Sequence, residues 1–193
     1  MSPRTANQNE EIRQQARQQI RDAAFELFAA KGFANTGVRA IAKEAGVSKG
    51  LIYHYFEGKD DILHAIFDDL TDLGDRAMDF PDNLSSSERL HKMLNMIFGY
   101  IKQSTEVLRL MISLALQPDA VEKLKASIEA YNERQIRILA PLFEDLGYES
   151  PEAEAYYLAA KLDGITLGYI TLGEDYPFEM MKQKVMNDYD SET

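Results

Sequence analysis

The stretch AIAKEAGVSKGLIYHYF, residues 40–56, decides how this chain is read. It is rich in helix formers, yet glycines interrupt it at positions 46 and 50. A short helix over about 37–44 buries Val38, Ile41 and Ala42, and Gly46 falls where that helix must stop and the chain reverse. Such a position favours positive φ, which glycine adopts without strain. Val47 follows as an apolar plug, and the Ser48 hydroxyl can cap the next helix. That helix, about 48–55, presents Lys49, Gly50, Tyr53 and His54 along its early turns, with Leu51, Ile52 and Tyr55 turned inward or sideways. Two helices joined by a short glycine-containing turn form a helix-turn-helix pattern. The turn alone is weak evidence, because many helical hairpins share it.

Outward from this stretch the pattern stays helical. Upstream, Ile12, Ala16, Ile20, Ala23, Ala24, Leu27 and Phe28 fall on one face at a period of 3.6, and Lys31-Gly32 closes the helix. Residues 1–9 are polar and expected to fray. Downstream, Asp60 and Asp61 suit the positive end of a fourth helix, whose apolar face is Leu63, Ile66, Phe67, Leu70 and Leu73, with Gly74 at its end. Lys59 is misplaced for that dipole. A phosphate beside the helix start would explain it, and so would a solvated lysine among compensating aspartates. The run DFPDNLSSSE (79–88) is the clearest boundary. Beyond it, amphipathic segments near 85–103, 105–117, 119–146, 150–173 and 178–188 are punctuated by Pro118, Pro141 and Pro151, and Pro141 is expected to bend or split its segment. Strand-like alternation and repeats are absent. The expected class is all-α, with a small N-terminal helical domain and a larger C-terminal helical bundle.

Charge is distributed unevenly over the 193 residues. The formal net charge is −11, yet residues 1–59 carry nine Lys/Arg against six Asp/Glu, whereas residues 60–193 carry twelve against twenty-six. A local basic surface, not the total, governs encounter with a polyanion. There is no cysteine, which excludes disulfides and thiolate metal sites. The N-terminus has no apolar signal region, and no apolar run approaches the ~20 residues that span a bilayer, so a cytoplasmic protein without membrane association is expected. Catalysis has little support. His54, His64 and His91 are scattered, no glycine-rich phosphate loop follows a strand, and no nucleophile has an evident base, so no catalytic residue, cofactor or metal is expected.

Two features of the last third bear on assembly. Ala160, Gly164 and Gly168 recur at four-residue spacing on one helix face, where small side chains let another helix approach. Phe178, Met181 and Val185, followed by Tyr189, form a stripe on the last segment. Together they can build a two-fold four-helix interface, or can simply pack within one chain.

The run LFAAKGFANTGVRAIAKEAGVSKGLIYHYFEGKDDIL (27–63) resembles the DNA-binding domain of TetR-type transcriptional regulators. The matching positions are Gly32-Phe33, Thr36, Ile41-Ala42, Ala45-Gly46-Val47-Ser48, Gly50, Tyr53, Phe56 and Lys59-Asp60. One departure is Thr36-Gly37, where many relatives carry two hydroxyl residues before the position of Val38. The resemblance covers roughly 12–74. It implies a flexible N-terminus (1–11), a helix-turn-helix DNA-binding domain (12–74, motif about 37–56), and a ligand-binding and dimerisation domain (75–193).

On that resemblance the short third helix enters the major groove. Lys49 reaches guanine or phosphate, Tyr53 and His54 contact phosphate or base edges, and Gly50 lets backbone approach DNA. Thr36, Arg39, Ser48 and Lys59 position the module on phosphates. An effector pocket in the larger domain is sought among Met96, Tyr100, Met111, Tyr131, Phe143, Tyr157 and Tyr169, although such residues at helical spacing are more often core. The implied function is a ligand-responsive repressor that binds operator DNA as a homodimer and is released by a small, largely apolar effector. The alternative is a helical module for apolar ligands or a protein partner without DNA binding.

Overall fold

The computed structural model describes residues 6–76 and 83–190, with side chains described from Gln8 and omitting residues 9 and 73–82. The N-terminal residues 1–5 and residues 79–82 of the expected boundary lie outside the described residues. The helices are α1 (Ala6–Lys31), α2 (Val38–Glu44), α3 (Lys49–Tyr55), α4 (Lys59–Arg76), α5 (Ser86–Gln103), α6 (Thr105–Ala115), α7 (Pro118–Asp145), α8 (Pro151–Leu172) and α9 (Phe178–Asp188). A short 3-10 turn over Gly173–Asp175 separates the last two. No strand occurs among the described residues, so the chain is all-α. Three expectations shift. α1 begins at Ala6 rather than near Ile12, α4 runs through Gly74 to Arg76, and α7 continues through Pro141. Pro141 is exposed, where water can serve the carbonyl that the missing N–H leaves unpaired.

The chain forms two compact units that do not follow sequence order. The first combines Met1–Thr71 with Leu110–Ser127, and the second combines Asp72–Arg109 with Ile128–Thr193. The expected N-terminal domain, 12–74, is therefore completed by the end of α6 and the start of α7. Its core packs Ile20, Phe28, Ile41, Ile52, Phe56, Ile62 and Leu63, each no more than 2% exposed. Burying a side chain of this size contributes about 1.5–3 kcal/mol. Leu114, Ala120 and Leu124 from α6 and α7 are buried as well.

The second unit packs Leu94, Phe98, Phe143, Leu158, Ile165 and Tyr169 against Phe178, Val185 and Tyr189 of the last helix and its end. α5 opens with a capping box in which Ser85 and Glu88 satisfy each other's backbone N–H groups. α9 is fastened to α8 by a polar cluster. Lys161 Nζ donates to Asp188 Oδ2 at 3.1 Å and to Tyr189 Oη at 3.2 Å, while Tyr189 donates to Glu154 at 2.7 Å.

Asp188 also accepts from Lys184, and the two lysines hold its carboxyl below the usual range, the Lys184 hydrogen bond being the largest cause. A depressed carboxyl pKa stabilises the fold above the unfolded-state value, about 3.9, and that stability drains away as pH falls further. Asp188→Asn should therefore lower the unfolding free energy by about 1 kcal/mol at neutral pH. It should also flatten the loss of stability below about pH 4. Denaturant titrations across pH check both, and parallel curves for mutant and wild type would contradict the assignment.

Candidate nucleic-acid interface

α2 stops by a Schellman arrangement, in which Val47 N donates to Ala42 O at 3.0 Å and Gly46 N to Lys43 O at 3.3 Å. Gly46 has φ +66°, the left-handed conformation the reversal demands. Ser48 then caps α3, its hydroxyl oxygen accepting from Leu51 N at 3.1 Å. Two fixed ends and an anchor, Ile52 at 0% exposure, hold the seven-residue helix in one orientation. Its outer face is what the anchor leaves over: Lys49, Gly50, Tyr53 and His54 are all exposed. The Lys49 ammonium lies over the Tyr53 ring at 5.3 Å, and the His54 ring meets Tyr55 edge-on at 4.9 Å. Arg39 on α2 is exposed too. The structure thus brings Arg39, Ser48, Lys49, Gly50, Tyr53 and His54 onto the exposed surface of the two motif helices and the turn that joins them.

Two expected contact residues are placed differently. Thr36 is 2% exposed, and its hydroxyl is engaged by Gly32 O at 2.9 Å and Leu27 O at 3.2 Å. It closes the end of α1 and has no free face for a phosphate. Lys59 is half-buried, its ammonium donating to Phe33 O at 2.8 Å and Ala34 O at 3.3 Å while lying 4.4 Å from the centre of the Phe33 ring. That explains a cation at the positive end of α4, since it serves carbonyls of the α1–α2 turn. At most one of its three N–H groups is left for a phosphate. Sequence reasoning missed Gln117, whose amide reaches the same turn from the α6–α7 corner: Phe33 N donates to its Oε1 at 2.7 Å. With 84 residues between the partners, no local pattern signals that bond.

The effector candidates are not gathered into one site. Phe143 and Tyr169 are packed into the core of the second unit, Met96 and Tyr157 are 44% and 58% exposed, and Tyr100 and Tyr131 are half-buried. Met111 is half-buried but belongs to the first unit. Two open surface hollows, of about 510 and 440 Å³, are lined by other residues, the larger by Ala140, Pro141, Glu144 and the start of α8. Of the assembly candidates, Ala160 and Gly164 are exposed, whereas Phe178 and Val185 are buried within their own unit and Met181 packs against the same core. Gly168 serves its own chain as well: a Cβ there would lie 2.3 Å from the Tyr176 ring.

A cationic and aromatic edge on a rigidly capped short helix, with its support helix behind a glycine turn, defines a helix-turn-helix DNA-binding domain. Residues 20–66 match the family described as bacterial regulatory proteins, tetR family. Over these residues the chain is similar to the DNA-binding domain of the TetR family of transcriptional regulators. It is 41% identical over 66 residues to the HTH-type transcriptional regulator SrpR of Pseudomonas putida, covering 34% of this chain and 29% of that protein. It is 51% identical over 49 residues to the fatty acid metabolism regulator protein of Bacillus subtilis, covering 25% of each. The chain therefore matches little more than a quarter of the length of these relatives. For the fold as a whole, the solved SmeT–triclosan complex superposes with a TM-score of 0.75 at 17% identity, covering 90% of this chain and 89% of that one. The two sequence relatives, SrpR and the fatty acid metabolism regulator, are named as regulators.

Gly50 provides a clean separation of fold from function. A Cβ at this position would meet only Ser48 Oγ at 3.9 Å, and no positive φ requires glycine here. Within the protein alone, Gly50→Ala should stabilise α3 by about 0.5–1 kcal/mol. If the bare backbone is there for DNA, the same change should weaken duplex binding about tenfold or more, because the methyl takes the space of the approaching partner. Thermal melts and a binding titration on one sample read both. A stabilised variant with wild-type affinity would remove Gly50 from the interface.

Proposed function

We propose that the chain is a ligand-responsive transcriptional repressor, which binds operator DNA through α3 as a homodimer and leaves it when a small, largely apolar effector binds. The observation that carries the DNA-binding half is Gly50. It is a glycine in the first turn of α3, open on its outer side and flanked by exposed Lys49, Tyr53 and His54. Lys49 is suited to guanine O6/N7 or phosphate, and the Tyr53 hydroxyl and His54 ring to phosphates or base edges. Arg39 and the Ser48 hydroxyl, whose proton is still free to donate, hold the domain on the backbone. The acidity of the chain does not oppose this, because it lies almost wholly after residue 59. The site of action is then the cytoplasm, where the operator is.

The homodimer reading is supported by the surface of α8 and α9. Tyr156, Tyr157, Leu167, Leu172 and Met180 are each more than half exposed, and Ala160 and Gly164 lie among them at helical spacing. Such a face can meet its own copy across a two-fold axis. The effector reading rests on likeness: the SmeT structure holds triclosan, an apolar ligand. Half-buried Tyr100 and Tyr131 are where a lining is best sought. A ligand releases the protein only if it favours one conformation of the dimer over another, so its affinity for the two must differ.

Selection of bound duplexes from a random pool tests the reading in one experiment. A two-fold dimer with one α3 per half-site should enrich an inverted repeat, its half-sites about one helical turn apart. Enrichment of a single unrepeated half-site would contradict the dimer. No enrichment at moderate salt would contradict sequence-specific binding and favour a helical ligand- or partner-binding module.

A further inference from the structure

Gln117 ends one helix, starts another and holds a third. Its N–H donates to Leu114 O at 3.0 Å as α6 closes, and its carbonyl accepts from Ala120 N at 3.1 Å and Val121 N at 3.0 Å as α7 opens at Pro118. Its side-chain amide turns toward α1. Oε1 accepts from Phe33 N at 2.7 Å, and Nε2 donates to Phe28 O at 3.0 Å and Ser113 O at 3.2 Å. One turn earlier on α6, the Ser113 hydroxyl donates to Ala29 O at 3.0 Å. The last carbonyls of a helix have no partner within it and must find one outside. Phe28 O accepts from Gly32 N at 3.0 Å and takes the Gln117 amide as a second donor, while Ala29 O is served by the Ser113 hydroxyl. Phe33, whose N–H is held by Gln117, is 3% exposed and packs edge-on against Phe28 at 5.0 Å. Three residues on, Thr36 closes the same turn from within, and α2 begins at Val38.

We propose that Gln117 is a positioning residue for DNA binding: its amide fixes the Gly32–Thr36 turn, and thereby the angle at which α2 and α3 leave α1. The inference rests on the DNA-binding reading above. It assigns the α6–α7 corner to the reader itself, as a third hold on the turn beside Thr36 and Lys59. Gln117 touches no DNA in this account, so its loss leaves the number of phosphate contacts unchanged. That predicts weaker binding with an unaltered salt dependence, since the slope counts neutralised phosphates.

The test uses the full chain with Gln117→Leu, which keeps the bulk and removes both the acceptor and the donors. Two readouts are needed: amide hydrogen exchange without DNA, and affinity for the duplex that the wild type selects, at several salt concentrations. With hydrogen bonds contributing roughly 0.5–1.5 kcal/mol each, Phe33 N–H should exchange about tenfold faster and the affinity should fall about tenfold. The salt slope and far-UV circular dichroism should stay as in the wild type. Fast exchange at Phe33 with wild-type affinity overturns the proposal, as does unchanged exchange. A slope that falls along with the affinity overturns it too, by making Gln117 a phosphate contact. Should Gln117→Leu not fold, Gln117→Glu keeps the acceptor for Phe33 N, loses the donors to Phe28 O and Ser113 O, and should bind about threefold more weakly. Wild-type affinity in that variant then overturns the proposal. A wild type that selects no duplex defeats the DNA-binding reading instead, and the Phe33 amide still decides whether Gln117 holds the turn.

Discussion

The reader depends on how the C-terminal end of α1 is satisfied. A 26-residue helix ends in a turn of five residues, and its final carbonyls lie close to buried surface, where an unpaired polar group costs about 1–3 kcal/mol. Gly32 supplies the left-handed φ of +87° that lets the helix stop. Thr36 takes the carbonyls of Leu27 and Gly32, Gln117 those of Phe28 and Ser113, and Lys59 those of Phe33 and Ala34. Three side chains from three parts of the sequence thus meet on one turn. The turn sets where α2 starts, α2 sets the Gly46 reversal, and the reversal sets the exposed edge of α3.

This ordering explains why the polar residues nearest the motif divide into two kinds. Thr36 and Lys59 resemble phosphate contacts in a linear reading, being hydroxyl and ammonium groups beside a helix start. In three dimensions their polar atoms are used to build the turn. Lys49, Gly50, Tyr53 and His54 contribute no comparable hydrogen bond to the fold, and they are what the domain offers outward. On the proposed DNA-binding reading, base contacts fall to groups the fold can spare.

The helices were legible because their signals are local. The 3.6-residue stripes, Ser48 as a cap, Gly46 as a reversal and Pro118 and Pro151 at helix starts each act within one or two turns of chain. The exposed edge of α3 was legible for the same reason, since Leu51, Ile52 and Tyr55 read as its inward or sideways side. What escaped was long-range. Nothing near Gln117 announces Phe33, 84 residues away, and nothing near Lys59 announces the carbonyls of Phe33 and Ala34, 26 and 25 residues before it. Gly168 misled similarly: it shares the spacing of Ala160 and Gly164, but the ring of Tyr176 occupies the space it leaves. The stripe of Phe178 and Val185 was apolar because it is core, packed within its own chain. Composition also hid the domain's own extent, because Leu110–Ser127 joins the first unit from the far side of α5 in sequence.

The central claim is that one small exposed edge, at Lys49, Gly50, Tyr53 and His54, meets DNA while the turn behind it holds still. Amide NMR of the full chain titrated with the selected duplex tests this most directly. The account predicts the largest shifts across Ser48–His54, smaller ones at Arg39, and slow exchange preserved at Phe33 in the bound state. Shifts centred on the second unit, or on Thr36 and Phe33 with α3 unmoved, would contradict it.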